Sequence, residues 1–336
     1  MVQVFFSTVF RYAPIDQAGE LIELDWKKKE IINKVSVSPK MIQINDPNPR
    51  GNSRGARGIA IIENIVIVAT YCELQVYDRH LNHLYDISHP LMVGLHEVFH
   101  TNDQKIWITS TAICSALQID LKTGQVVNQY WPREMSEFQE QWSLKPLEIN
   151  KNEDNRLRFL SEHITKDPSH LHFNAIAVWQ GQEFGLFNRF GTVVNLSTKQ
   201  IVVQDSNLRG AHNLIILHDG TIFVNDTRNQ AVCIYDMNGR LKKRIDLLPF
   251  HSAGKKAKWY KKTAFIRGYM EKYNLLHYAA VMPFFVRGMD ILDDLLFVGI
   301  SPAAILCVNW RTGKLIDVYN YSSDTRIAVH GLKVLV

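Results

Sequence analysis

The chain repeats itself over a very long interval, and that repeat constrains its fold more than any other feature. His96, His212 and His330 lie 116 and 118 residues apart, and each opens an apolar run: His96-Glu-Val-Phe, His212-Asn-Leu-Ile-Ile-Leu and His330-Gly-Leu-Lys-Val-Leu. Between them fall three similar runs without the aligned histidine, at Arg57-Gly-Ile-Ala-Ile-Ile, Phe173-Asn-Ala-Ile-Ala-Val and Met289-Asp-Ile-Leu, again 116 residues apart. The chain therefore holds six similar units, and every second unit carries a histidine.

A second column runs through all six. An apolar strand ends in Asp or Asn, a short turn follows, and another strand begins, at Asp25, Asp78, Asp120, Asn195, Asp236 and Asn309. These short side chains bond to nearby backbone amides and start turns. β-Branched and aromatic runs precede the column, as in Ile65-Val-Ile-Val-Ala-Thr and Leu295-Leu-Phe-Val-Gly-Ile, and read as strands. About four strands in roughly 40 residues is the content of one propeller blade. The expected fold is all-β, a single six-bladed β-propeller over residues 1–336. Five blades start near Arg57, His96, His172, His212 and Arg287, and the sixth is split. Val329–Val336 supplies its first strand and the segment from Val2 supplies the rest, which closes the ring and removes a free sheet edge. A seventh blade within 247–286 is the competing count.

Composition excludes several classes. At 46% hydrophobic and 21% charged, the chain reads as globular. No run of 18 apolar residues predicts a membrane span, and Met1–Phe10 lacks the basic start and small-residue cleavage site of a secretory signal. The four cysteines, Cys72, Cys114, Cys233 and Cys307, are expected in similar strands of four blades, without metal-type spacing. Reduced thiols and a cytoplasmic location are the default expectation. The net charge of +5 is mild, and much of it sits in Lys255–Lys262, running on to Arg267. Basic residues among aromatics can bind nucleic acid or an anionic surface. The rest of the chain has no basic stripe, so a solvated loop or helix is the favoured reading. Nothing in the sequence sets an oligomeric state.

The junctions between units alternate in length. Long ones run over about 38–56, 132–170 and 247–286, and all join an outer strand to the next inner strand. Those crossings share one face of a propeller, the face where His96, His212 and His330 begin their strands. Long segments in a compact domain are usually functional or disordered. The inserts 132–170 and 247–286 carry Trp142, Phe159, Trp259, Tyr260, Phe265, Tyr269 and Tyr278, which is too aromatic for simple disorder. They are expected to form a lid or wall at the channel mouth.

Inner strands surround a central channel, so residues at one level of alternate blades form a triangle about the axis. Three neutral imidazoles with an open fourth position are a catalytic zinc pattern. His96, His212 and His330 are accordingly the candidate ligands of a divalent metal, zinc first, with iron or copper also compatible. The bland alternative is that each histidine only ties neighbouring blades together. His172 lies one position before its column and is expected to face differently, as a group near the metal or the substrate. The next column holds Gly58, Glu97, Asn174, Asn213, Asp290 and Gly331. Glu97 and Asp290 are candidate general bases or orienters of imidazole, or else structural bridges between blades. Arg54-Gly-Ala-Arg57, Arg209-Gly-Ala-His212 and Arg287-Gly-Met289 place arginines before inner strands. Arg54, Arg57, Arg209 and Arg287 can each clamp a carboxylate or phosphate, or equally bond the next blade.

The stretch Ile-Phe-Val-Asn-Asp226-Thr-Arg-Asn-Gln-Ala-Val-Cys-Ile-Tyr-Asp236-Met-Asn-Gly resembles an NHL repeat. The whole chain is similar to the six-bladed group containing NHL, gluconolactonase-like and strictosidine-synthase-like proteins. Within that group, peptide-amidating lyase holds a catalytic zinc through three histidines on separate blades, and the resemblance carries this role to His96, His212 and His330. The first functional reading is a metal-dependent lyase or hydrolase acting on a small anionic molecule in the channel. Two other readings stay open: a metal-free acid–base enzyme using the channel His, Glu and Asp, and a non-catalytic propeller binding a protein or glycan.

Overall fold

The computed structural model describes residues 2–46, 53–101, 104–160, 166–263, 266, 270 and 284–336. Six antiparallel sheets of four strands each are arranged as blades. The first runs from inner strand Ile59–Ile62 to outer strand His83–Ile87, the second from Leu95–His100 to Val126–Tyr130, and the third from Phe173–Trp179 to Ile201–Gln204. The fourth runs from His212–Ile216 to Leu241–Asp246 and the fifth from Met289–Leu292 to Lys314–Asn320. The sixth is composite: Ile327–Leu335 pairs with Gln3–Phe10, followed by Gly19–Asp25 and Glu30–Ser36. Each inner strand touches the inner strands on either side, and that of the sixth blade touches that of the first. The ring is closed, and the fold is the six-bladed propeller that the repeat predicts. Most of 264–283, where a seventh blade was the alternative, lies outside the described residues.

The apolar pattern follows from position in the blade. The middle strands pack against neighbouring blades on both faces and are mostly buried, as in the fifth blade, where Leu296, Phe297 and Val298 are all fully buried. The outer strands face solvent, and their exposed positions include Ile31, Leu84 and Leu241. The closing blade is held by the same packing as the others. Val4, Phe6, Ile22 and Leu24 join Val329 and Leu332 in one cluster with Phe297 and Ile305 of the fifth blade.

The Asp/Asn column forms the turns expected of it. Asp25 accepts from the Lys28 amide, Asp78 from His80 and Asn82, and Asp120 from Lys122 and Thr123. Asn195 accepts from Ser197 and Thr198, Asp236 from Asn238 and Arg240, and Asn309 from Thr312. The cysteines differ from expectation. All four are free and buried, but only Cys233 and Cys307 lie in third strands; Cys72 and Cys114 occupy the turns that precede them. Each packs in a different apolar cluster.

Two glycines show how tightly inner strands meet. A Cβ on Gly331 would stand 2.3 Å from the Arg57 carbonyl oxygen, and one on Gly58 would stand 2.7 Å from that of His96. Each lets the next blade's backbone approach the channel wall.

The described part of insert 132–170 packs against the second and third blades. Trp142 stacks on Phe190 at 4.7 Å between centroids, and Phe138 meets Phe187 edge-on. Arg133 donates to the Lys145 carbonyl and to Asp167. The Asn155 amide bonds the Pro90 carbonyl, so the insert also braces the short link that leads to His96. In the third insert, helix Ala253–Lys262 packs Ala253 and Ala257 against Phe284 and Val286. Phe265, Arg267, Tyr269 and Tyr278 lie outside the described residues. Trp259 is exposed on that helix. No described helix is long and apolar enough to cross a membrane.

Candidate metal centre

The alternation of junction lengths carries through to the channel. The short links 88–94, 205–211 and 321–326 lead to His96, His212 and His330, whereas the three long inserts lead to Arg57, to His170 and His172, and to Arg287. The inner strands of the second, third, fourth and sixth blades each carry a register shift near their histidine. His96 and Glu97 fall between the pairs Leu95–Ser110 and Val98–Ile108, and Asn174 between Phe173–Phe187 and Ala175–Leu186. Asn213 falls between His212–Asn225 and Leu214–Val224, and His330 and Gly331 oppose Ser7. The first and fifth blades, which bring Arg57 and Arg287, keep regular register between inner strand and neighbour. A bulge inserts a residue and re-aims the side chains beside it. Left-handed backbone at His172 and Asn213, with φ of 55° at each, adds to this turning.

Four imidazoles gather as a result. The His96 ring lies 5.8 Å from His172, 6.2 Å from His212 and 5.6 Å from His330 between centroids. The tightest trio is His96, His172 and His212, whose ring nitrogens come within 4.8 Å of one another, one from each. His330 stands beside it and lines the same cavity. Its Nδ1 is buried with no hydrogen-bond partner among the described residues. His172 thus joins the cluster directly, because the positive φ turns it toward the axis, while simple strand alternation would have aimed it elsewhere.

Hydrogen bonds set the tautomer of His212. The Thr227 hydroxyl donates its one proton to the Val286 carbonyl at 2.7 Å, so toward His212 Nδ1, at 3.0 Å, it can only accept. His212 Nδ1 therefore carries the proton, and Nε2 keeps a lone pair, which accepts from Arg287 Nη2 at 2.8 Å. His96 Nδ1 stands between an acceptor, the Gly94 carbonyl at 3.1 Å, and a donor, Arg57 Nη1, so its partners suit either tautomer. Arg57 approaches the same Nδ1 at 3.3 Å and donates to the Leu95 carbonyl.

Burial keeps all of these rings neutral. His96, His212 and His330 are held well below the usual value of 6.5, first by burial and then by the nearby arginine charges. His172 falls to about 3, by burial and then by His170 and Arg287, and His170 falls to about 4, by burial and then Arg133. Burial also lowers Arg57 to about 10, which leaves it cationic at neutral pH.

Glu97 responds in the opposite direction. Burial raises its carboxyl to about 7, against the pull of Lys333 and of a bond from Asn213. Asn213 Nδ2 donates to Glu97 Oε2 at 2.6 Å, from the fourth blade to the second. The same Asn213 accepts from Asn225 and from the Gly288 amide. His96, His172 and Glu97 keep some accessible surface, although protein surrounds each of them. The cavity is bounded by His96, Glu97, Asn174, His212, Asn213, Arg287 and His330, and its volume is about 10 Å³. This is room for about one water or one ion, and too little for an organic molecule.

The remaining candidates lie apart. Asp290 accepts from the Val334 amide and faces Lys333 at 3.6 Å, which ties the fifth blade to the sixth. Arg54 donates to the Ala13 carbonyl and faces buried Asp46 at 3.7 Å, which anchors its insert. Arg209 is exposed and does not line the cavity. Sequence reasoning passed over Asn174, Asn213 and His170. The two asparagines stood in the column beside Glu97, but the bulges that turn them into the channel leave no mark in the sequence.

The fold and this site define a six-bladed β-propeller with a histidine-lined axial cavity. No family model and no curated protein matches the chain. Solved structures match over essentially its full length. A protein of unknown function from Bacteroides caccae aligns over 99% of this chain and 98% of its own, with 11% identity and a TM-score of 0.59. A chain of a nidogen/laminin complex aligns over 100% and 99%, with 8% identity and a TM-score of 0.57. At such identities the likeness extends to the fold alone.

Proposed function

We propose that the axial cavity holds a divalent transition metal, zinc first, and that the protein is a metal-dependent lyase or hydrolase for a small anionic molecule. The observation that carries this reading is the set of three neutral imidazoles, His96, His172 and His212, with ring nitrogens within 4.8 Å of one another, two of which, His96 and His212, line an ion-sized void. Tetrahedral zinc at about 2.0–2.1 Å from each nitrogen needs them about 3.4 Å apart. The rings therefore close in by about 1.4 Å at most on binding. His330 is within reach as a further ligand or as a hydrogen-bond partner of a bound water. The ligand type matches the resemblance to peptide-amidating lyase, with His172 joining the set first named as His96, His212 and His330.

A metal at this point supplies a polarised water or substrate oxygen. Glu97, poised near neutrality beside the cavity, is the group suited to take up and return a proton. Because the void admits one small species only, a substrate would approach from outside it, where Arg287, which lines the cavity, would favour an anion.

The test is metal analysis of tag-free protein after dialysis against zinc or cobalt, followed by titration of the variants His96→Ala, His172→Ala and His212→Ala. About one metal per chain is expected in the wild type, with at least ~100-fold weaker binding in each variant. His218→Ala, in an exposed turn, should bind as the wild type does. A metal-free wild type under these conditions would sink the proposal and leave acid–base chemistry by Glu97 and the imidazoles as the next reading.

A further inference from the structure

The two arginines at the axis differ in one respect that decides their roles. Arg57 meets His96 on Nδ1, behind the ring, and bonds the Leu95 carbonyl. Arg287 instead donates to Nε2 of His212. With Nδ1 protonated toward Thr227, Nε2 is the only lone pair that ring offers. A metal ion and the Arg287 guanidinium cannot both use it.

We propose that Arg287 is a gate shared by the metal and an oxyanion ligand: it caps His212 Nε2 in the metal-free protein and swings to clamp the anion once a metal takes that nitrogen. This rests on the metal reading of the preceding section. The backbone around the gate is pinned. The Arg287 amide bonds the Gly299 carbonyl at 3.0 Å, and the Gly288 amide bonds Asn213 Oδ1 at 2.9 Å. The guanidinium rests on the Phe285 ring at 4.5 Å, and that ring also meets His212 edge-on at 5.6 Å. The side chain can therefore turn about a fixed base, and the displaced guanidinium stays at the mouth.

A displaced guanidinium beside a divalent cation is repelled by it, and an anion placed between them removes the repulsion. The planar fork of arginine fits a carboxylate, sulfate or phosphate with two parallel hydrogen bonds. Metal and oxyanion consequently favour each other's binding, and the effect is reciprocal by linkage. The gate caps the one lone pair of His212 that would otherwise be left bare.

The experiment measures cobalt(II) affinity by competition with a chromophoric chelator, for the wild type and for Arg287→Gln, in chloride and in sulfate at equal ionic strength. Circular dichroism confirms folding, and Arg287→Lys serves as a second variant should the glutamine protein fail to fold. A hydrogen bond to a charged group corresponds to about 10- to 100-fold in affinity. The variant is therefore expected to bind cobalt about 10-fold or more tightly than the wild type in chloride. Sulfate should tighten binding to the wild type and leave the variant unchanged. Cobalt bound by the variant alone would also support the gate. Cobalt bound by both proteins, with equal or weaker affinity in the variant, overturns the gate and leaves the metal centre standing. Cobalt bound by neither overturns the metal centre and the gate together.

Discussion

Acidifying the metal-free protein from pH 6.5 to 4.5 should destabilise it before its surface carboxylates titrate. The cause is the cluster of buried neutral imidazoles. Each binds a proton near 6.5 in the unfolded chain and resists one in the fold, so the unfolded state takes up more protons and stability falls as pH falls. The loss is about 1.4 kcal/mol per pH unit for each such group between its two values. For His172, held at about 3, and His170, held at about 4, it amounts to roughly 2 kcal/mol each over this window. His96, His212 and His330 shift in the same direction and add to it. Glu97 works the other way. Its folded value is raised to about 7 from 4.5, so its contribution is complete below 4.5 and is lost as pH rises through 7. Across the window it returns roughly 2 kcal/mol. The balance is a net loss of several kcal/mol, a large part of a typical stability of about 5–15 kcal/mol. Urea unfolding in the presence of a chelator should show the midpoint falling by about 1 M or more between pH 6.5 and 4.5. In His172→Asn the dependence should be shallower by about 1.4 kcal/mol per pH unit. A midpoint that stays level across this range would refute the assignment of neutral buried imidazoles.

Three further outcomes follow from the structure. Glu97→Gln should abolish the opposing trend, so that acid destabilisation between pH 7 and 5 becomes steeper than in the wild type by about 1.4 kcal/mol per unit; equal slopes in the same urea titration would contradict the raised carboxyl. Gly331→Ala drives a Cβ to within 2.3 Å of the Arg57 carbonyl oxygen and should cost about 1–3 kcal/mol, seen as a drop of several degrees in Tm. Deleting 327–336 removes Val329, Leu332 and Val334, each worth about 1.5–3 kcal/mol when buried; the truncated chain should lose cooperative unfolding, and a melting curve unchanged from the full chain would rule out closure through the sixth blade.

Blade number and closure were legible in the sequence because they rest on local chemistry repeated six times. An Asp or Asn that starts a turn does so wherever it stands, and a strand covered on both faces is rich in apolar residues. His96 and His212 could be read as neighbours across the axis because the ring's geometry converts equal spacing into equal depth. The composition of the histidine cluster could not be read in this way. His172 enters it through a left-handed backbone residue, and Asn213 reaches Glu97 through a bulge; both depend on how one strand slips against the next, a balance of packing between blades distant in sequence. The sequence also left Arg54, Arg57, Arg209 and Arg287 equivalent. Only the tertiary structure separates them, because the direction of an arginine head group depends on which carbonyl or lone pair the neighbouring blade presents: a loop carbonyl to Arg54, solvent to Arg209, the back of His96 to Arg57, and the one open nitrogen of His212 to Arg287.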